Sequence, residues 1–189
     1  MSGIPTAIEA QEITGDDLYA MGEIGPCELV EGRIVPMAPA GMPHGIYEGN
    51  VYFLLRQFVD RHNLGVVAAG EVGIYTKRHP DTVRGADVVF ISHERNRRRS
   101  PTGFLDIAPD LVVEIMSPHD RWSDVMEKLR EYFAIGVRLV WIVDPRSRNV
   151  LAYRSLTDVR EFTADDDLTG NDVLPGFRVR VAEIFRAPS

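Results

Sequence analysis

Two carboxylates stand alone inside apolar runs of this chain. Asp87 lies within Ala86-Asp87-Val88-Val89-Phe90-Ile91, and Glu114 within Leu111-Val112-Val113-Glu114-Ile115-Met116. Continuous runs of this kind, bounded by Gly, Pro or Ser, read as strands buried on both faces, where an ionised carboxylate costs several kcal/mol unless a cation or donors compensate it. Each acid therefore needs a partner. Acids on neighbouring strands, roughly 5 Å apart, can converge on one divalent ion and leave water sites open to substrate. A lysine beside them can orient a water or neutralise a developing oxyanion. Lys128 follows in Asp124-Val125-Met126-Glu127-Lys128-Leu129-Arg130-Glu131-Tyr132-Phe133. Asp87 and Glu114 are the candidate metal ligands, and Asp87, Glu114 and Lys128 the candidate catalytic set, for metal-dependent phosphodiester cleavage. By spacing alone the pattern is only moderately specific.

The elements that must carry these residues follow from periodicity. Val125, Met126, Leu129, Tyr132 and Phe133 make one apolar helix face, and Lys128 falls beside it, so its stem can pack while the ammonium reaches the sheet. The plainer role for Lys128 is an i, i+4 ion pair with Asp124, worth a few tenths of a kcal/mol. Ser117-Pro118-His119-Asp120 reads as the start of this helix, with Ser at the N-cap, Pro at the first position and an acid two residues later. Val137 to Val143 and Asn149 to Arg154 read as the next strands.

Upstream, Thr14-Gly15-Asp16-Asp17 has capping-box spacing for a short helix, and Glu28 to Val35 reads as a hairpin turning at Glu31-Gly32. His44 to Asn63 has helical apolar spacing and a glycine stop at Gly65. His44 and Glu48 share a face of it, which suits either a metal-ligand pair or a capping-turn histidine beside a solvated glutamate. Val66 to Thr76 is a strand interrupted by Gly70 and Gly73, with Glu71 inside it. Arg95, Arg97, Arg98 and Arg99 form the densest positive run; it is expected on the rim of the site, clamping phosphates or forming a solvated loop. Asp165-Asp166-Asp167 reads as a solvated turn and Leu174 to Val181 as a closing edge strand.

At 189 residues with 44% hydrophobic content the chain suits one α/β domain with an appended tail. Its single cysteine excludes an intrachain disulfide and a cysteine-only metal cluster. No secretory start and no spanning apolar window is read, so the expected location is cytoplasmic, without membrane contact. The net charge of −7 argues against non-specific coating of nucleic acid, but not against a nuclease, because metal-binding carboxylates add negative charge that a cation offsets.

Taken together, Glu28-Leu29-Val30-Glu31-Gly32, His44, the Asp87 strand, Pro109 to Pro118, Lys128 with Tyr132, Gly136-Val137, Trp141 to Pro145 and Leu174-Pro175-Gly176-Phe177 resemble the Uma-type restriction endonuclease family of the PD-(D/E)xK nuclease superfamily. The resemblance spans almost the whole chain. It implies an α/β fold with a restriction-endonuclease-like αβββαβ core and an N-terminal β-hairpin extension. The single domain over 1–189 would divide into helix and hairpin (1–43), core (44–155) and tail with edge strand (156–189). It also implies Mg²⁺ dependence, with Mn²⁺ a substitute, and DNA as substrate; two strands to cut would suit a homodimer. By motif Asp87 matches the first metal acid and Glu114 the second. Met116 stands where the superfamily usually has its lysine, and Lys128 occupies the displaced position on the following helix. Gly85-Ala86 stands where a proline would precede the first acid. The rival readings are an inactive nuclease-fold module for protein or nucleic-acid binding, and a hydrolase of small phosphorylated molecules, which would need a closed apolar pocket.

Overall fold

The computed structural model describes residues 12–118 and 120–186. The reading of the first residues as lacking a leader, the outer ends of the single-domain division, and His119 lie outside the described residues.

Thr14 caps α1 (Gly15–Ala20) through the expected reciprocal box with Asp17. The hairpin follows as β1 (Cys27–Val30) and β2 (Arg33–Pro36), with Glu31 and Gly32 at φ 48° and 73°, the handedness that a two-residue turn requires. The long helix α2 (Met42–His62) buries Val51, Leu55 and Val59. It stops at Asn63, whose left-handed φ of 50° does the work assigned to glycine, while Gly65 instead opens β3 (Gly65–Lys77). β3 bulges between Ala69 and Val72, where Gly70 and Glu71 both have positive φ.

β4 (Thr82–Ser92), almost entirely buried, positions the site. One edge pairs with β3 along its length. The other edge is shared by two strands, β1 at Val83 and β5 (Leu111–Ile115) at Val88 to Phe90. Between Val83 and Val88 no strand pairs with this edge among the described residues. Buried backbone groups left there must find other partners. After the short α3 (His93–Asn96) and β5, helix α4 (Trp122–Ile135) crosses to β6 (Leu139–Asp144), which lies parallel to β5; β7 (Asn149–Tyr153) and β8 (Val159–Phe162) extend the sheet antiparallel. The order is β2-β1-β4-β5-β6-β7-β8. Strand alternation divides the core: Val88, Phe90, Val113 and Trp141 face α2, and Val89, Val112, Val140 and Ile142 face α4.

Three elements differ from expectation. The segment after β5 does not begin the helix at Ser117: Asp120 Oδ2 accepts the Ser117 N–H at 2.7 Å, closing a turn, and α4 starts at Trp122 with Arg121 as N-cap. Leu174 to Val181 does not edge the main sheet. Its strand β10 (Leu174–Arg180) pairs with β9 (Asp167–Gly170) in a separate two-stranded sheet. Leu168, Leu174 and Phe177 face inward from that sheet, and Phe177 meets Phe58 of α2 and Trp141 of β6 edge-on and tilted, so burial against the helix sets its place. α5 (Val181–Ile184) continues this packing. β8 escapes sequence reading because only Phe162 of its residues is buried.

Candidate active site

Side chains fill the gap on the β4 edge. The Gly85 N–H donates to Glu28 Oε1 at 3.1 Å, and Gly85 O accepts from Lys128 Nζ at 3.2 Å. A hairpin residue and a helix residue thus stand in for the missing strand. Asp87 Oδ2 accepts the Ile115 N–H at 2.6 Å, just past the point where the β4–β5 ladder ends. The ladder register, Val88 opposite Val113, would set Asp87 opposite Glu114 one step further on, where the strands part, but the ligand atoms that converge within 4.8 Å are those of Asp87, His44 and Glu71 and not Glu114.

Lys128 joins Glu114 to Glu28. Its Nζ lies 2.9 Å from Glu28 Oε1 and 3.2 Å from Glu114 Oε2. With Gly85 O, these acceptors occupy all of the ammonium's donors. Asp124 is not its partner. Burial acts to lower the pKa of Lys128, but Glu114 and Glu28 outweigh it and the group is held above its usual range. Burial pushes Glu114 the other way, up to about 7, with Lys128 opposing and Asp87 adding to the rise. Tyr132 donates its hydroxyl to Glu114 Oε1 at 2.5 Å, and burial with that neighbouring charge pushes the phenol well above its usual range. Glu28 is the inner anchor: burial would raise it, yet Lys128 and Arg84 together hold it below the usual carboxylate range. Arg84 Nη1 meets Glu28 at 3.0 Å and grips Glu131 through Nε and Nη2 at 2.7 and 2.6 Å.

A second group of ligand atoms converges from the other side of Asp87. His44 Nε2 lies 3.0 Å from Asp87 Oδ1, and one ligand atom each from His44, Glu71 and Asp87 falls within 4.8 Å of the others. Glu71 reaches this position because the bulge turns its backbone to φ 55°, a conformation that costs a non-glycine residue on the order of 1–3 kcal/mol. Gly85 gives it room, since a Cβ there would sit 2.5 Å from Glu71 Oε2. The hydrogen bond to Asp87 raises the pKa of His44, despite burial. Burial and the charge of Asp87 raise both Glu48 and Glu71. Glu48 is not the metal partner of His44 within this group; its Oε1 accepts the Gly70 N–H at 2.8 Å and so braces the bulge.

The structure therefore brings Asp87, Glu114 and Lys128 to one end of the sheet, and adds Glu28, His44, Glu71 and Tyr132. The strand glycines Gly70 and Gly73 signalled the bulge that presents Glu71. No local signal marks Glu28, whose position depends on the gap in the distant β4. The arginine run is not on this rim. Arg95 donates to Ala108 O, Pro109 O and Gly136 O and pairs with Asp110 at 3.3 Å, tying the end of α4 to the start of β5, at the opposite end of the strand from Glu114. Arg98 pairs with Glu94. The guanidinium of Arg95 thus serves the fold, because its partners are carbonyls and an acid of neighbouring segments.

This arrangement of a mostly antiparallel sheet and flanking helices is a nuclease-like mixed α/β fold. A crystal structure described as that of "a putative nuclease belonging to DUF820" from Anabaena variabilis matches with a TM-score of 0.76 at 20% identity, over 92% of this chain and 97% of that one. The chain belongs to the Uma2 family, described as "Putative restriction endonuclease", whose model matches residues 16–182. The family read from the motifs is the family found. No curated protein matches the chain. Among the described residues no helix is long and apolar enough to cross a membrane.

Proposed function

We propose that this protein is a divalent-metal-dependent nuclease that hydrolyses DNA phosphodiester bonds, with Asp87, Glu114 and Lys128 in its active site. The observation that carries the reading is the convergence of His44, Glu71 and Asp87 within 4.8 Å, next to the Glu114–Lys128 pair. Family membership supports the nuclease class. The acid cluster fits a cation: burial, with the charge of Asp87 added, pushes Glu48 and Glu71 toward protonation, and a bound cation would offset both effects. Asp87 with Glu71 and Glu114 would hold Mg²⁺ or Mn²⁺, and His44 would either ligate or orient Asp87. When bound, such an ion supplies Lewis-acid stabilisation of phosphoryl oxygens and a more acidic water.

The chain's own groups do the remaining work. The Ile115 N–H and His44 fix both oxygens of Asp87, so its carboxylate is oriented before substrate arrives. Lys128 and Tyr132 each hold one oxygen of Glu114, so this carboxylate too is oriented before an ion or substrate arrives. Lys128, locked by Glu28, keeps a fixed positive charge next to that oxygen pair and offsets charge that develops in the transition state.

Two measurements test this together: calorimetry of Mn²⁺ binding and nicking of supercoiled DNA, on wild type, Asp87→Asn and Glu71→Gln. The expected result is metal-dependent nicking in wild type, no nicking in Asp87→Asn, and weakened metal binding in both variants. Wild-type protein that binds no divalent ion would support the inactive-module reading instead.

A further inference from the structure

A cavity of about 150 Å³ opens beside Glu114 on the α4 side of the sheet. Ile115, Val125, Leu129 and Ile142 form an apolar floor, and Met37 and Met116 stand half-buried along its wall. Thioethers are polarizable and adapt well to flat rings. Glu114, Lys128 and Tyr132 close the polar end. The polar end is thus shared with the proposed active site, and the apolar part has no role in the chemistry described so far.

Size, charge and hydrogen bonding each narrow the occupant. Small-molecule sites usually start at about 300 Å³, whereas a cavity of about 150 Å³ takes a single six-membered ring. The occupant is therefore one ring of a larger substrate that lies mostly outside. Exposed Asp120 and Asp124 line the cavity together with Glu114, so a phosphate or carboxylate is repelled while a neutral ring is not. The donors of Lys128 are taken by Gly85 O, Glu28 and Glu114, and the Tyr132 hydroxyl is taken by Glu114. What the polar end still offers is acceptor capacity: beyond Lys128 and Tyr132 each Glu114 oxygen keeps one lone pair, one for the proposed ion and one for a donor of the occupant. A ring with an exocyclic amine matches that end. A ring presenting a carbonyl there does not, and glutamate accepting from the cytosine amine is an established base-edge pairing.

We infer that this cavity receives a single pyrimidine base turned out of the substrate strand, with cytosine favoured over thymine through an amine donated to Glu114. The inference rests on the nuclease reading and adds a recognition step to it. Enzymes that turn a nucleotide out of the stack hold the base in an apolar slot and read its edge. Here the slot adjoins the acids assigned to cleavage, so seating the base also sets the register of its phosphate against them.

The test is a methyl-resolved NMR titration of the whole protein, following Ile115, Val125, Leu129 and Ile142, with cytidine, thymidine and a base-free deoxyribose. Cytidine should shift these methyls with an affinity about tenfold or more above that of thymidine, the lower end of a matched base-edge contact, and the bare sugar should leave them unmoved. Val125→Phe fills the slot and should abolish the shifts. Glu114→Gln, which adds a donor at the polar end, should erase the cytidine preference even if the first variant fails to fold. Unmoved methyls with every nucleoside, or shifts produced by methylamine and not by cytidine, overturn the assignment. Metal-dependent nicking measured in parallel separates the two readings: nicking with unmoved methyls removes the slot alone, and cytidine shifts without nicking in any divalent metal remove the nuclease reading and leave the slot.

Discussion

At the scale of single residues, Lys128 shows how the structure changes the expectation for a substitution. From the sequence, Lys128→Met keeps the apolar stem and leaves folding intact. In the structure the ammonium compensates Glu28 and Glu114 together, both inward-facing. Removing it strands two carboxylates, a loss of about 3 kcal/mol or more at neutral pH when a buried pair is broken. The acids can escape by binding protons. Their folded pKa values then lie above the unfolded ones, so stability is fully present below the unfolded range and is lost as pH rises through the folded values. Urea midpoints of the metal-free variant should therefore approach wild type at pH 5 and fall well short at pH 8. A pH-independent deficit would mean that lost packing, not stranded charge, is the cause. Asp87, Glu114 and Lys128 were legible because a charge in an apolar run or beside an apolar helix face is conspicuous in one dimension. Glu28 was not, because it acts across a gap between strands and leaves no local pattern, and for Glu71 the flanking glycines mark a break in the strand but not that the acid turns toward Asp87.

At the scale of elements, the β4 edge and the β3 bulge are a matched pair. Gly85 is the point of contact, with a Cβ there 2.5 Å from Glu71 Oε2. The colliding atom is the end of a flexible side chain, so Gly85→Ala should fold with little loss of stability but displace the Glu71 carboxylate from Asp87. Mn²⁺ affinity should drop about tenfold or more, the scale on which a displaced ligand or its supporting contact is felt. Unchanged affinity would remove Glu71 from the site. The arginine run makes the opposite point. Its sequence reads as a phosphate clamp, yet Arg95 binds the carbonyls where α4 and the β5 approach end. Arg95→Met should lower unfolding stability by roughly 1–3 kcal/mol, because several charge-assisted hydrogen bonds are lost, and leave the salt dependence of DNA binding unchanged. Charge density along a sequence does not say whether partners lie in the solvent or in the fold. Strand identity was easier: β4, β5 and β6 are continuous apolar runs, whereas β8 and the pairing of β10 with β9 depend on which surfaces remain for them to cover.

At the scale of the whole molecule, the formal charge of −7 sets how a polyanionic substrate can approach. Proteins that hold DNA by charge alone present basic surfaces and release counterions. Here the β4 end of the sheet gathers Glu28, Glu48, Glu71, Asp87 and Glu114 around one lysine, with Arg84 behind it, so the local field at the proposed site opposes a phosphate. A bound divalent ion reverses part of that field at the position where the scissile group must sit. Metal loading and substrate binding are then thermodynamically linked, and each must strengthen the other by the same factor. Duplex DNA binding, followed by fluorescence anisotropy with Ca²⁺ in place of the catalytic ion, should be weak in chelator and rise steeply as Ca²⁺ is added. The same ionic strength supplied as NaCl should weaken it. In Asp87→Asn the Ca²⁺ response should be largely lost, while any residual binding in chelator should increase, because one negative charge has been removed. Equal DNA affinity with and without divalent ions would show that the phosphate backbone is held elsewhere on the surface, and would detach substrate binding from the acid cluster.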